Sequence, residues 1–188
     1  MKLKLNSFYQ INMTDINQLI SIIIPVFNES ESIGFLLNEV ISVMESNKLN
    51  FELIVVNDGS TDDTQQVLKQ LTLQITELIV IGLRKNYGQT AAMAAGFDNS
   101  KGDILITLDG DLQNDPKDIP KLILEINNDY DLICGWRFDR KDKLINRKIP
   151  SKIANKLIAK VTGLKLHDYG CSLKAFRKEI INDIKLYG

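Results

Sequence analysis

The chain has 188 residues, of which 44% are hydrophobic and 25% are charged, a composition that fits one globular domain with a buried core. No apolar run approaches the roughly 18 to 20 residues that a membrane-spanning helix needs, and the N-terminal region lacks the order of a secretion signal. Cys134 and Cys171 are too few and too far apart for a zinc motif or a disulfide framework. These features predict a soluble, cytoplasmic domain and give the cysteines no chemical role.

The net charge of −1 conceals two parts of opposite charge. Residues 137–188 contain 14 Lys and Arg against 5 Asp and Glu, a net charge of +9, whereas the residues before them contain 9 basic and 19 acidic side chains, a net charge of −10. A basic surface attracts nucleic acid, anionic lipid or phosphate. Nucleic acid is the least favoured of these partners, because aromatic side chains for base stacking are sparse in the basic part.

Apolar strands and amphipathic helices alternate from about Leu19, after a polar N-terminal extension over residues 1–18. Strands are expected at 20–24, 51–56, 78–83, 104–108 and 132–135. Between them, apolar residues spaced three and four apart predict helices over 31–46, 63–71, 90–98 and from 116 to about 126. The strands are almost entirely apolar, as expected for a mainly parallel sheet with helices on both faces. The sequence therefore predicts an α/β fold.

The pattern changes at residue 137, where the basic part begins. We expect a basic loop over 137–148, a helix from about 150 to 162 and a short amphipathic helix over 180–186. No repeat or Ser/Gly-rich linker divides the chain, so the sequence predicts a single domain over 19–188 whose role changes near residue 137.

Two carboxylates, those of Asp109 and Asp111, follow the apolar strand expected at 104–108. The carboxyl end of a parallel strand faces the crevice in which open α/β sheets bind their ligands. Proteins usually bind Mg²⁺ through one or two carboxylates together with substrate phosphates. The pair therefore indicates a divalent cation and a phosphorylated ligand. A solvated acidic turn is the alternative, since Asp and Gly are common turn residues.

Polar side chains also follow the other predicted strands, and parallel strands bring such residues to one edge of a sheet. Glu29 and Asp58 could accept hydrogen bonds from a nucleobase or a ribose there. Asp58 also belongs to a sequence, Asn57-Asp58-Gly59-Ser60, that is typical of a turn and a helix cap. The glycine-rich signatures of P-loop and dinucleotide-binding proteins are absent, so side chains and a metal would have to hold a nucleotide.

Six short motifs occur in order along the chain. They are Pro25-Val26-Phe27-Asn28-Glu29; Val56-Asn57-Asp58-Gly59-Ser60-Thr61-Asp62; Asn86-Tyr87-Gly88-Gln89 with Ala94-Ala95-Gly96; Asp109-Gly110-Asp111-Leu112-Gln113 with Pro116; Gly135-Trp136-Arg137; and Asp168-Tyr169-Gly170-Cys171-Ser172-Leu173-Lys174-Ala175-Phe176. The ordered set resembles the inverting family 2 glycosyltransferases of the GT-A fold. It is similar in particular to the polyprenyl-phosphate branch, which includes dolichyl-phosphate mannosyltransferases and undecaprenyl-phosphate sugar transferases.

The resemblance implies a metal-dependent enzyme that moves a sugar from a nucleotide-diphosphate donor to a polyprenyl phosphate. Residues 19–136 would form the nucleotide-sugar and metal half, and residues 137–188 the part that faces the acceptor and the membrane. By the same likeness, the nucleotide would be bordered by Pro25, Phe27, Glu29, Asp58 and Asp109. The cofactor, Mg²⁺ or Mn²⁺, would be held by Asp109, Asp111 and Gln113. A UDP donor is favoured over a GDP donor.

The acceptor side of the resemblance rests on four residues. Arg137 and Arg147 would face phosphate, and Lys174 stands where relatives often have Arg, so it keeps the charge without the planar fork. Asp168 would orient the acceptor or act as a base. A lipid phosphate is already ionised near neutral pH, so it needs cationic positioning more than removal of a proton.

Members of this branch usually continue into membrane helices, and this chain ends where that region would begin. The resemblance therefore implies a truncated enzyme, or one that relies on a membrane partner, acting at the cytoplasmic face of the membrane. The basic part would then meet the anionic membrane surface. Two alternatives stay open: a GT-A enzyme that glycosylates a sugar or protein hydroxyl, and a noncatalytic nucleotide-sugar binding domain.

Overall fold

A computed structural model of the chain describes residues 17–128, 130–135 and 171–182. The strands in these ranges are β1 to β6, at Leu19–Val26, Asn50–Asn57, Leu78–Gly82, Ile104–Thr107, Leu132–Cys134 and Lys174–Arg177. The α-helices are α1 to α5, at Ile33–Ser46, Thr64–Leu71, Gln89–Asn99, Ile119–Ile126 and Lys178–Asn182. A 3-10 turn, Pro116–Asp118, leads into α4.

The six strands form one sheet in the order β3-β2-β1-β4-β6-β5. Strand β1 pairs in parallel with β2 and with β4, and β2 pairs in parallel with β3. Strand β6 lies between β4 and β5 and is antiparallel to both. The predicted α/β fold with a mainly parallel central sheet is confirmed, with one antiparallel strand added.

The sequence did not predict β6. Its four residues, Lys-Ala-Phe-Arg, show no apolar run, and the strand forms because β4 and β5 offer hydrogen-bonding partners on its two sides.

The helix expected over 180–186 is α5, which begins earlier, at Lys178. Residues 183–186, the basic loop expected at 137–148 and the helix expected at 150–162 lie outside the described residues.

Side chains of the central strands alternate between two buried apolar layers. Ile22 of β1 points into the layer formed with α1, α2 and α4. Ile23 points into the opposite layer, where it meets Ala92 and Phe97 of α3. Helices therefore cover both faces of the sheet, as the apolar strands predict, and the carboxyl ends of the strands are held in a rigid frame.

A buried carboxylate fixes the amino-terminal end of the sheet. Glu52, at the start of β2, is only 8% exposed, and its Oε1 accepts hydrogen bonds from the Ser21 hydroxyl at 2.6 Å and from the Lys101 backbone N–H at 2.7 Å. The backbone N–H of Gly102 in turn donates to the Ser21 hydroxyl at 2.8 Å. These bonds join β1, β2 and the loop before β4 at the end away from the polar strand ends.

Two glycines in helices differ in how closely other residues approach them. A Cβ added at Gly96 of α3 would lie 2.3 Å from Cγ2 of the fully buried Ile23, whereas a Cβ added at Gly34 of α1 would meet nothing within 4 Å. Gly96→Ala should lower the free energy of unfolding by about 1 to 3 kcal/mol through overpacking. Gly34→Ala should be neutral or stabilise by up to about 1 kcal/mol, because alanine favours the helix.

Urea unfolding of the two variants and the parent chain measures both values. Equal effects of the two substitutions would contradict the close approach of α3 to β1.

Candidate active site

The carboxyl ends of β1, β2 and β4 open into one pocket of about 280 Å³. Six of the residues proposed from the sequence line it, namely Pro25, Phe27, Glu29, Asp58, Asp109 and Asp111. The remaining lining residues are Val26, Asn86, Gly88, Gln89, Ala92 and Gly110. The structure thus gathers the candidate nucleotide residues and two of the three candidate metal ligands, Asp109 and Asp111, in one place. What each of them binds stays a prediction.

Asp58 is a structural carboxylate as well as a pocket residue. It is only 3% exposed, and its two oxygens accept hydrogen bonds from the backbone N–H groups of Tyr87 and Gly88, both at 2.8 Å. Each carboxylate oxygen keeps a further lone pair with which it can accept a bond from a ligand. The contact holds the loop between β3 and α3 against the end of β2.

A glycine lets these two loops approach closely. Gly59 follows Asp58 with φ of +67°, and a Cβ added there would lie 2.3 Å from the backbone carbonyl carbon of Lys85. Both the positive φ and the short distance exclude a side chain. The turn predicted around Asp58 therefore also serves as a packing surface for the loop that carries Asn86.

The loop after β1, which carries Phe27 and Glu29, is tied to the loop after β2 by a set of hydrogen bonds. Asn28 has φ of +58°, and its side-chain oxygen accepts the backbone N–H of Thr61 at 2.8 Å. The backbone N–H of Asn28 donates to the Ser60 hydroxyl at 2.9 Å, and that of Glu29 donates to Oγ1 of Thr64 at 2.8 Å. Two walls of the pocket are thereby fixed to each other.

Asp62 completes this connection. Its Oδ2 accepts the backbone N–H of Ser30 at 3.2 Å, and its Oδ1 accepts both the hydroxyl and the backbone N–H of Thr64. The hydrogen bond from the Thr64 hydroxyl is the main reason that the pKa of Asp62 is lowered to about 2. The ionised carboxylate is therefore part of the folded loop structure.

The two aspartates proposed as metal ligands both face the pocket. Oδ1 of Asp109 accepts a hydrogen bond from Nε2 of Gln89 at 2.7 Å, and Oδ1 of Asp111 accepts the backbone N–H of Gln113 at 3.1 Å. The side chain of Gln113 is exposed, and Gln113 is not among the lining residues. The structure therefore brings Gln113 to Asp111 through its backbone, and its proposed metal contact stays a prediction.

The backbone between the two aspartates is tightly constrained. A Cβ added at Gly110 would lie 2.8 Å from Cγ1 of Val26, so a side chain there would push against the end of β1. Leu112 has φ of +60°, which is uncommon for a leucine and is typical of strained backbone at functional sites. These two features present Asp109 and Asp111 to the same space.

The carboxylates of Asp109 and Asp111 fit a hard divalent cation that is bound together with a phosphorylated ligand. Among residues 17–128, 130–135 and 171–182, no group of three or more His, Cys, Asp or Glu side chains is arranged around a common metal position. Two carboxylates beside an open pocket suit Mg²⁺ or Mn²⁺, which complete their coordination with phosphate oxygens and water. A closed structural site such as that of zinc would need more protein ligands.

Sequence reasoning assigned no role to Asn86 or Gln89, although both line the pocket. The signal for them was present in the motif Asn86-Tyr87-Gly88-Gln89, which follows β3 at the same edge of the sheet. Their contacts depend on where α3 begins, and the sequence predicts that position only approximately.

Of the acceptor-side residues, the structure describes Lys174 alone, because Arg137, Arg147 and Asp168 lie outside the described residues. Lys174 is the first residue of β6, where it pairs with Thr107 at the carboxyl end of β4, and it is not among the pocket-lining residues.

Hydrogen bonds fix the segment just before Lys174. The Thr107 hydroxyl donates to the backbone carbonyl of Ser172 at 2.6 Å. The buried amide of Asn114 donates to the Ser172 hydroxyl at 2.7 Å. The segment that leads into β6 is thus joined to the loop that carries the two aspartates.

The fold is that of the GT-A glycosyltransferases. A solved structure of glucosyl-3-phosphoglycerate synthase from Mycobacterium tuberculosis, in complex with Mn²⁺ and uridine-diphosphate-glucose, matches with a TM-score of 0.72 at 20% identity, over 92% of this chain and 61% of that one. At this identity the likeness shows the fold alone. The chain itself belongs to glycosyl transferase family 2, because the model of that family matches residues 21–185. The family predicted from the motifs is therefore confirmed.

Two similar proteins carry names from the polyprenyl-phosphate branch. Dodecaprenyl-phosphate galacturonate synthase from Rhizobium johnstonii is 50% identical over 90% of this chain and 51% of its own length. Undecaprenyl-phosphate 4-deoxy-4-formamido-L-arabinose transferase from Aeromonas hydrophila is 41% identical over 91% of this chain and 52% of its own length. The chain thus spans about half the length of these relatives. Within the described ranges, no helix has the length and apolar character needed to cross a membrane.

The lowered pKa of Asp62 predicts a pH-dependent stability. The pKa is about 2 in the folded chain against an ordinary value of 3.8, so the stabilisation is present above pH 3.8 and is lost as the pH falls toward 2. The stability deficit of Asp62→Ala relative to the parent should therefore be constant from neutral pH to about pH 5 and shrink at lower pH. Urea unfolding at a series of pH values measures it.

Thr64→Val offers a second check, since it removes the hydroxyl that contributes most to the shift. In that background the Asp62→Ala deficit should change less with pH. A deficit that stays constant down to about pH 3 in the parent background would contradict the assignment.

Proposed function

We propose that this chain is the catalytic domain of a metal-dependent, inverting glycosyltransferase that transfers a sugar from a nucleotide diphosphate to a polyprenyl phosphate. The main support for metal dependence is the negative charge of the pocket. Its lining includes four carboxylates, those of Glu29, Asp58, Asp109 and Asp111, and no Lys or Arg among the described residues. A nucleotide diphosphate is itself anionic, so a cation is needed to bring it into such a pocket.

Each wall of the pocket has a distinct part in donor binding. Pro25 and the half-exposed Phe27 offer an apolar surface for the nucleoside, while Glu29 and Asp58 accept hydrogen bonds from its polar groups. Asp109 and Asp111 would hold the cation beside the diphosphate. A divalent cation bound there supplies Lewis-acid neutralisation of the departing diphosphate.

The acceptor assignment is supported by the relatives, whose names specify dodecaprenyl and undecaprenyl phosphates. An ionised phosphate oxygen attacks the sugar carbon without first losing a proton, so cationic positioning replaces a general base. Lys174, Arg137 and Arg147 would provide the positive charge, and Asp168 would orient the acceptor. Attack from the side opposite the leaving diphosphate inverts the configuration of the sugar carbon.

The proposal also covers the nucleobase of the donor, the metal ion and the location of the enzyme. We favour UDP over GDP as the donor, as the resemblance to bacterial members of the family implies. Either Mg²⁺ or Mn²⁺ fits two carboxylates and phosphate oxygens. Action at the cytoplasmic face of the membrane accords with the net charge of +9 over residues 137–188. Each Lys or Arg near an anionic surface contributes about 1 kcal/mol to binding at low salt.

Nucleotide binding should depend on the metal through Asp111. We expect UDP with Mn²⁺ to raise the melting temperature of the parent chain, because a ligand that binds only the folded state stabilises it. Asp111→Asn should abolish the metal-dependent part of this increase. Thermal-shift measurements with UDP, GDP and their sugars, each with and without Mn²⁺, test the metal and the base together.

Asp98→Asn is the matched control, because Asp98 is an exposed aspartate of α3 that does not line the pocket. It should respond like the parent. If Asp111→Asn also responds like the parent, the metal-site assignment is wrong.

Lys174 should act on the acceptor and not on the donor. Lys174→Met removes the charge while keeping an unbranched side chain, and we expect kcat/KM for a polyprenyl phosphate to fall about tenfold or more, as for loss of a charge-assisted contact. The KM for the nucleotide sugar should stay unchanged. Steady-state kinetics with each substrate varied in turn provides the measurement.

Lys101→Met, at an exposed lysine before the amino-terminal end of β4, should leave both values unchanged. Transfer to a free sugar but not to the lipid phosphate would favour an enzyme that acts on hydroxyl acceptors. Nucleotide binding without product from either acceptor would favour a noncatalytic domain.

A further inference from the structure

We propose that Gln89 is a positioning residue that fixes the Asp109 carboxylate for metal binding. The inference rests on the proposed function, because it assigns Gln89 to the same metal site. Its basis is one contact that spans two elements: Nε2 of Gln89, the first residue of α3, donates to Oδ1 of Asp109, just beyond β4, at 2.7 Å.

Helix α3 is a rigid support for this contact. Its N-terminus is fixed by Gly88, whose backbone N–H donates to Oδ2 of Asp58 at 2.8 Å. Ala92 and Phe97 of the same helix are buried against the sheet, and Gly96 lies directly on Ile23. The backbone at the first position of α3 is therefore held at a defined distance from the end of β4, and the exposed Gln89 side chain reaches Asp109 from there.

The first turn of α3 consequently connects two carboxylates of the pocket. The backbone at Gly88 binds Asp58, and the next side chain, Gln89, binds Asp109. Asp58 belongs to the predicted nucleoside side and Asp109 to the predicted metal side. Orientation of a metal ligand by such a supporting hydrogen bond is common, and its loss typically reduces metal affinity by about 10- to 100-fold.

The chemistry of glutamine suits this position. The carboxamide is a neutral donor that reaches Asp109 without bringing a full positive charge to a cation site. A lysine there would pair with Asp109 and repel the metal, and a glutamate would add a carboxylate to a pocket that already has four. A methionine has nearly the same length and flexibility and lacks the donor, so it isolates the hydrogen bond.

The test compares Gln89→Met with the parent chain of 188 residues by direct Mn²⁺ binding, measured by electron paramagnetic resonance without UDP and with saturating UDP. We expect Gln89→Met to weaken Mn²⁺ binding about tenfold in either condition. The melting temperature and the affinity for UDP in the absence of metal should remain at the parent values. Loss of a merely structural contact would instead lower the melting temperature or weaken metal-free UDP binding.

Gln70→Met is the control, because Gln70 is an exposed glutamine of α2 that does not line the pocket. The inference is wrong if Gln89→Met binds Mn²⁺ as tightly as the parent does, or more tightly. Tighter binding would mean that the Gln89 amide competes with the metal for Asp109.

The proposed function fails in a distinguishable way. If the metal site is wrong, the parent chain will bind no Mn²⁺, or Asp111→Asn will bind it as well as the parent does. Either result is independent of how Gln89→Met behaves.

Discussion

Parallel pairing of β1 along both of its edges is the constraint on which the site depends. The register places Val26 opposite Asn57 of β2, and Ile23 opposite Thr107 of β4. Polar residues that directly follow these strands therefore emerge at one edge of the sheet. Because helices bury both faces, a shift of any one strand would disrupt two apolar layers at once, and the strand ends cannot move independently.

The rigidity of the pocket walls has a second origin in the loops themselves. Asn28 and Asp62 connect the loops after β1 and β2, and Asp58 connects the end of β2 to the loop before α3. The loops that carry Glu29 and Asp58 are held in place by these bonds, so the proposed cation and diphosphate would meet a largely preorganised pocket with little cost of ordering side chains.

Local patterns were sufficient to predict β1 to β5 and α1 to α4, because apolar runs and helical spacing are properties of short segments. They were insufficient for β6, since Lys174–Arg177 forms a strand only through its two neighbours in the sheet. The pocket was predictable because parallel strands share one edge. The bonds from Asp58 to the start of α3 and from Gln89 to Asp109 were not, because they join segments far apart in sequence.

The position of β6 has a consequence for biosynthesis. Strand β4 pairs with β1 on one edge, and its other edge is paired with β6, with Ile104 opposite Arg177. A nascent chain that has emerged only as far as β5 exposes that edge, and an unpaired strand edge is a template for association with other chains. Closing the sheet must therefore wait for a contact between residues far apart in sequence, which makes this step slow relative to formation of the parallel half.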